Sequence, residues 1–147
     1  MKVRECMCNQ VECVKPDATV CDVAKLMLNK HIGCVPVCNA NKNVVGLVTD
    51  RDLILRTLAC EKDIKQTPVS EVMTTNVYKT TPEADTTDVS KIMCDCQVRR
   101  VPVVENEQLI GIITLGDLAN NQKVSPEEVT ITVEGICKCG DNAQNAE

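Results

Sequence analysis

The chain has 147 residues, a formal net charge of −5 and an apolar fraction of 44%, which suits one compact domain or two small halves sharing a core. Its only aromatic residue is Tyr78, so a core must be built from Val, Ile, Leu, Met, Ala and Cys. The acidic balance argues against a nucleic-acid surface, which needs clustered Lys and Arg; no apolar run approaches the roughly 20 residues that span a bilayer; and Met1-Lys2-Val3-Arg4-Glu5-Cys6 lacks the apolar stretch of a signal peptide, so a cytoplasmic location is expected.

In chain order, a short strand over about 11–15 leads to Pro16. Thr19 with Asp22 marks a helix start, and Val20, Val23, Ala24 and Met27 recur on one helical face. Two apolar runs rich in Val, 34–38 and 44–49, flank the polar Asn39-Ala40-Asn41-Lys42-Asn43 and read as a hairpin. A second helix begins just after Thr49, and residues 60–68 read as a polar linker broken by Pro68. The same order then restarts. A strand over 77–81 leads to Pro82, a helix is marked by Asp85 and Asp88 with Val89, Ile92, Met93 and Cys96 on one face, runs 101–104 and 109–114 form a hairpin, and a helix follows Thr114. In the tail, Ser125-Pro126-Glu127-Glu128 is a good helix start with Pro at the first helical position, while the β-branched Val129-Thr130-Ile131-Thr132-Val133 suits a strand; both readings stand. The last seven residues, 141–147, are expected to be disordered.

The restart is a duplication. Residues 3–37 align with 69–103 at an offset of 66, with 13 identical pairs, and a one-residue deletion then shifts the offset to 65 for 44–53 against 109–118. The expected fold class is α/β (α+β): two β-α-β-β-α motifs packed with pseudo-twofold symmetry. The motifs span 1–59 and 69–122, with the linker 60–68 between them and a partly disordered C-terminal extension over 123–147. Neither half, at about 60 residues without large aromatics, buries enough surface to fold alone. Packed sheet to sheet, the two would create a central cleft, where small-molecule sites usually lie.

Each copy carries one chemical signature: Gly46-Leu47-Val48-Thr49-Asp50-Arg51-Asp52 and Gly111-Ile112-Ile113-Thr114-Leu115-Gly116-Asp117. A buried strand delivers a Thr at its end, and an Asp follows one helical turn later on the same side. That carboxylate can accept both hydroxyls of a ribose, and the Thr hydroxyl with the exposed N–H groups of the helix start can donate to phosphate. An ordinary helix N-cap also uses Thr-x-x-Asp. Its occurrence at equivalent places in both copies favours ligand contact.

With a Met near each repeat start (Met7, Met73), the strands Val35-Pro36-Val37 and Val101-Pro102-Val103, and the two Gly-x-x-Thr-x-x-Asp signatures, residues 3–120 resemble a tandem CBS-domain pair, the Bateman module. The resemblance implies binding of an adenosine-type nucleotide (AMP, ADP, ATP or S-adenosylmethionine), a regulatory role without catalysis, no required cofactor, and disc-like homodimers. Carried over residue by residue, one site would use Thr49, Arg51 and Asp52 with Thr74, Asn76, Val77, Arg99 and Arg100; the other would use Thr114 and Asp117 with Cys8, Gln10, Val11, Gly33 and Cys34. The first holds three Arg, suited to bidentate phosphate contacts, unless these are solvated or paired with acids. It is expected to take the phosphorylated nucleotide, leaving the second empty or holding an uncharged nucleoside-like group.

Two other classes of function remain open. Eleven Cys is a high count. The odd number, the missing export signal and the Cys at apolar-patterned positions 21, 34 and 38 favour reduced thiols. Three Cys-x-Cys pairs, Cys6/Cys8, Cys94/Cys96 and Cys137/Cys139, raise a metal or redox sensor. Cys94 and Cys96 would point to different sides of a helix, which leaves Cys137 and Cys139 as the better-placed pair. The lone His31 aligns with Gln97 at a helix end and reads as a cap. The chain could also be an interaction subunit with degenerate sites. No effector domain accompanies the pair, so any effector is a separate protein or the dimer itself.

Overall fold

The computed structural model describes residues 1–138. Its elements are α1 (Val20–Lys30), β1 (Cys34–Cys38), β2 (Val44–Thr49), α2 (Asp50–Leu53), α3 (Thr86–Cys96), β3 (Arg100–Glu105), β4 (Gln108–Thr114), α4 (Leu115–Asn120) and α5 (Pro126–Ile136). The class is mixed α/β, with two small antiparallel hairpins. The chain divides into two compact units: a first unit, Glu12–Val77, and a second, Met1–Val11 together with the chain from Tyr78 onward. The segment leading into each repeat therefore folds with the other repeat.

In the first unit, Thr19 caps α1: its Oγ1 accepts from Asp22 N at 3.1 Å and Asp22 Oδ2 accepts from Thr19 N at 3.3 Å. Val20, Val23 and Met27 turn inward, whereas Ala24 is exposed and the half-buried Leu26 takes the core position expected of it. The helix ends at His31, whose φ of 54° is left-handed. β1 and β2 pair from Cys34 opposite Thr49 to Cys38 opposite Val44, with a bulge at Val37/Cys38. α2 runs on into a π-helical turn, Ile54–Leu58, in which Ala59 N reaches Ile54 O at 3.0 Å.

The second unit repeats this plan. Gln97 ends α3 with φ 53°, β3 pairs with β4 from Arg100 opposite Thr114, and the bulge recurs at Val103/Val104. Its hairpin closes through Asn106 and Glu107, both at positive φ, the two-residue turn that matches strand twist. Asp85 does not cap α3 with its side chain, contrary to the pattern. The carboxylate instead faces Lys2 Nζ at 3.2 Å and the N-terminal amine at 4.0 Å. The strands expected over 11–15 and 77–81 shrink to single parallel bridges, Val14 with Val37 and Thr80 with Val103. The tail forms α5, capped by Ser125 with Pro126 in the first turn; that cap and the packing of Thr132, Gly135 and Ile136 outweigh the β-branched run. Residues 139–147, including Cys139, lie outside the described residues.

Each unit has its own core. The first joins Val20, Val23, Met27, Val35, Val37, Val48 and Leu53 with Val69 and Val72 from the second repeat's leading segment. The second joins Val89, Met93, Val101, Val103, Ile113, Leu118, Val124 and Ile136 with Val3. Val3 and Val69 are fully buried, and each contributes about 1.5–3 kcal/mol relative to exposure. Neither repeat closes its core without the other. Among the described residues, no helix is long and apolar enough to cross a membrane.

Candidate functional site

The two Thr-x-x-Asp signatures sit at equivalent strand-to-helix junctions. In the first unit, Thr49 ends β2 and caps α2: its Oγ1 accepts from Asp52 N at 3.1 Å, and Asp52 Oδ2 accepts from Thr49 N at 3.0 Å. Beside β2 runs the second repeat's leading segment, where Thr74 and Leu47 exchange both backbone hydrogen bonds at 2.9 Å. This register brings Thr74 alongside the signature. A Cβ on Gly46 would fall on Met73 Sδ, so the signature glycine and the repeat's methionine are one packing device.

Arg56, on the π-helical turn, joins these parts. Its Nη1 donates to Val72 O at 2.9 Å and to Thr74 Oγ1 at 3.3 Å. Its Nη2 lies 3.6 Å from Asp52 Oδ1, an ion pair longer than a hydrogen bond. The Asp52 side chain is 14% exposed and that of Arg56 27%. The charge is thus neutralised, while Oδ1 can still accept from a hydroxyl. Arg51 and Asn76 are exposed and Val77 is half-buried. Arg56 was not singled out in the sequence; the signal that could have found it is a base four residues after Asp52, one helical turn on.

In the second unit, Thr114 Oγ1 accepts from Asp117 N at 3.1 Å, and Asp117 Oδ2 accepts from Thr114 N at 2.8 Å and from the Thr114 hydroxyl at 2.7 Å. Cys8 exchanges backbone hydrogen bonds with Ile112, at 2.9 and 3.0 Å, as Thr74 does with Leu47. A Cβ on Gly111 would come 2.9 Å from Cys8 O and 3.0 Å from Met7 Sδ. The counterpart of Arg56 at the offset of 65 is Asn121, an uncharged amide. Asn121 instead hydrogen-bonds the Cys6 thiol, whose Sγ also lies 3.4 Å from Asp117 O. Burial pushes the Cys6 thiol up from its ordinary range and the Asp117 charge adds to this, against the Asn121 hydrogen bond.

The remaining site residues divide as follows. Gln10 is exposed and Val11 half-buried in the second unit's leading segment. Gly33 and Cys34 belong to the first unit, where Gly33 O accepts from Asp50 N at 3.0 Å and Cys34 lies opposite Thr49. Arg99 and Arg100 belong to the second, where Arg99 O accepts from Leu115 N at 2.8 Å and Arg100 lies opposite Thr114. Cys137 is an exposed thiol. Among the described residues, no group of three or more His, Cys, Asp or Glu is placed to hold a metal ion.

The family model for the CBS domain matches twice, over residues 3–58 and 69–123. The CBS domain-containing protein YhcV of Bacillus subtilis is 42% identical over 120 residues, 82% of this chain and 84% of that protein. Hypoxic response protein 1 of Mycobacterium tuberculosis is 31% identical over 135 residues, 91% of this chain and 92% of the relative. A crystal structure of Hypoxic Response Protein I with two coordinated zinc ions superposes with a TM-score of 0.75 at 31% identity, covering 81% of this chain and 97% of that one. That of the conserved CBS domain protein TA0289 from Thermoplasma acidophilum reaches 0.80 at 28% identity, covering 92% and 75%. On the strength of the doubled match, these relatives and the shared fold, the chain belongs to the CBS-domain family, as a protein built on two CBS domains in tandem.

Proposed function

We propose that the chain is a non-catalytic, cytoplasmic regulatory module that binds an adenosine-type nucleotide, and that the phosphorylated ligand sits on the Thr49–Asp52 signature. The observation that carries this reading is Arg56. Its guanidinium neutralises Asp52, which removes the repulsion an isolated carboxylate would exert on phosphate, and at 3.6 Å from Asp52 Oδ1 it leaves that oxygen able to accept from a ribose hydroxyl. The Thr49 hydroxyl, which accepts from Asp52 N, can still donate its own O–H at the same end. The position equivalent to Arg56 holds the uncharged Asn121, so the Asp117 site suits an uncharged group or none. The chain works as a homodimer.

A thermal-shift panel of AMP, ADP, ATP, S-adenosylmethionine and adenosine tests this. A ligand at 100 times its dissociation constant stabilises the fold by about 2.7 kcal/mol. One phosphorylated adenosine compound stabilises the wild-type chain and not Asp52→Ala. Absence of any shift across the panel rejects the reading.

A second reading, a thiol-held metal, is favoured by the zinc ions coordinated in the Hypoxic Response Protein I structure. Cys137 and Cys139 would supply two of the four ligands of a tetrahedral zinc. Less than a tenth of an equivalent of zinc or iron in anaerobically purified protein discards it.

A further inference from the structure

Five β-branched residues in succession, Val129-Thr130-Ile131-Thr132-Val133, fill the middle of α5, and Gly135 stands near its end. In a helix β-branched side chains lose rotamer freedom against the preceding turn, and glycine loses more backbone freedom than any other residue. Isolated helices shorter than about 12–15 residues are marginal even when rich in alanine, and α5 has 11 residues. Its helical form therefore depends on what it is docked against.

The seat is α3. Ser90 Oγ donates to Glu128 Oε1 at 3.0 Å, Cys94 Sγ lies 3.7 Å from the carbonyl oxygens of Ile131 and Thr132, and Gln97 Nε2 donates to Lys138 O at 2.7 Å. Apolar anchorage comes from the buried Ile136 and the half-buried Val129, whereas Ile131 and Val133 are exposed. The equivalent face of α1 in the first unit carries no such helix: Ala24 is exposed and Leu28 is 72% exposed. The first repeat thus holds its fold with that face open. The tightest part of the seat is Cys94 against Gly135. A Cβ on Gly135 would come 2.5 Å from Cys94 Sγ and 2.7 Å from Cys94 Cβ, so no further heavy atom fits on the sulfur between the two helices. The same half-buried thiol borders a groove of about 490 Å³, walled also by Ser90, Lys91, Glu128 and Ile131. Small solutes thus have a route to a sulfur whose seat has no room for an added group.

We propose that α5 is a redox-sensitive strap: it is helical while seated on α3, opens as a unit, and cannot reseat once Cys94 has formed a mixed disulfide with a low-molecular-weight thiol. The co-reactant is a small disulfide, RSSR. The Cys94 thiol releases its proton to solvent, its sulfur attacks one sulfur of RSSR, the S–S bond of the reagent breaks and RS⁻ leaves. The RS group then stands where Gly135 packs, and a reducing thiol reverses the exchange. Opening of one element at a lower free energy than the whole fold is the ordinary behaviour of a marginally docked segment.

Hydrogen exchange and peptide mass mapping on the full chain test it, with oxidised glutathione as the small disulfide. In reducing buffer, amides 129–136 are protected at least about tenfold less than amides 89–93 of α3. After oxidised glutathione, Cys94 carries the mixed disulfide, the α5 amides lose their remaining protection and the α3 amides keep theirs; dithiothreitol restores the first pattern. Cys94→Ser, treated alike, keeps α5 protected, which separates this thiol from the other cysteines. Ile131→Ala, at an exposed position of α5, favours the helix and slows modification of Cys94. The proposal is overturned if α5 exchanges only together with α3, if Cys94 stays unmodified or is modified without loss of α5 protection, or if the loss persists in Cys94→Ser.

Discussion

Beyond the cap that both share, the first unit holds its signature aspartate with an arginine and leaves its helix face bare; the second holds the equivalent aspartate with its threonine hydroxyl and covers the equivalent face with α5. What the two share is scaffold. Both set a methionine from the other repeat against the signature glycine, both end the first helix in a left-handed residue, and both bulge after the second valine of Val-Pro-Val. Duplication has preserved the parts that let each repeat complete the other's core. It has let the charge beside the site and the outer helix faces diverge, because those positions lie outside the two cores.

The glycines break the comparison hardest. A methyl at Gly111 meets a backbone oxygen that cannot step aside, whereas one at Gly46 meets only the Met73 side chain, which can turn away. Gly111→Ala should cost about 1–3 kcal/mol by overpacking, and Gly46→Ala less, read as a lower midpoint of thermal unfolding for the former. Equal midpoints would mean that the leading segments are not held as described.

The helix starts differ by a smaller amount. Thr19→Ala removes a formed cap and should destabilise by about 1 kcal/mol. Asp85→Ala removes a half-exposed ion pair with Lys2 and the longer one with the N-terminal amine, for which a few tenths of a kcal/mol is the expected scale. Chemical denaturation of the two variants ranks them.

The smallest effect is a pH dependence at Glu5. The backbone N–H of Lys2, at 2.9 Å, and then the Lys123 ammonium, at 3.3 Å, hold this carboxyl below its ordinary value of 4.5. A lowered carboxyl binds its proton less readily in the folded state, so its contribution is present above the unfolded value and is lost as pH falls through the folded one. The difference in melting temperature between wild type and Glu5→Gln should therefore shrink below about pH 4.5 and shrink further in high salt.

Much of this architecture was legible in the sequence because it is local. Val-rich runs on either side of Asn39–Asn43 specify the first hairpin, Thr19 with Asp22 specifies a helix start, and repetition of the whole pattern marks the tandem pair. What escaped depends on distant chain. Asp85 reads as a cap until Lys2, far away in sequence, draws off its carboxylate. Ala24 reads as core because alanine fits either side of a helix, and only the position of Leu26 against the sheet decides. The leading strands shorten to single bridges, since only Val14 and Thr80 lie against the hairpins. Of the site, both Thr-Asp pairs stand out as motifs, yet Arg56 does not, since its meaning comes from Thr74 and Val72 in the other repeat.

Nucleotide binding at the arginine-supported signature is most directly tested by titration calorimetry of AMP and ATP into the wild type, Asp52→Ala, Arg56→Ala and Asp117→Ala. At least one of the two nucleotides should bind the wild type, bind Asp52→Ala and Arg56→Ala at least tenfold more weakly, and bind Asp117→Ala with unchanged affinity. Affinity that survives both Asp52→Ala and Arg56→Ala, or that is lost only in Asp117→Ala, would contradict the assignment.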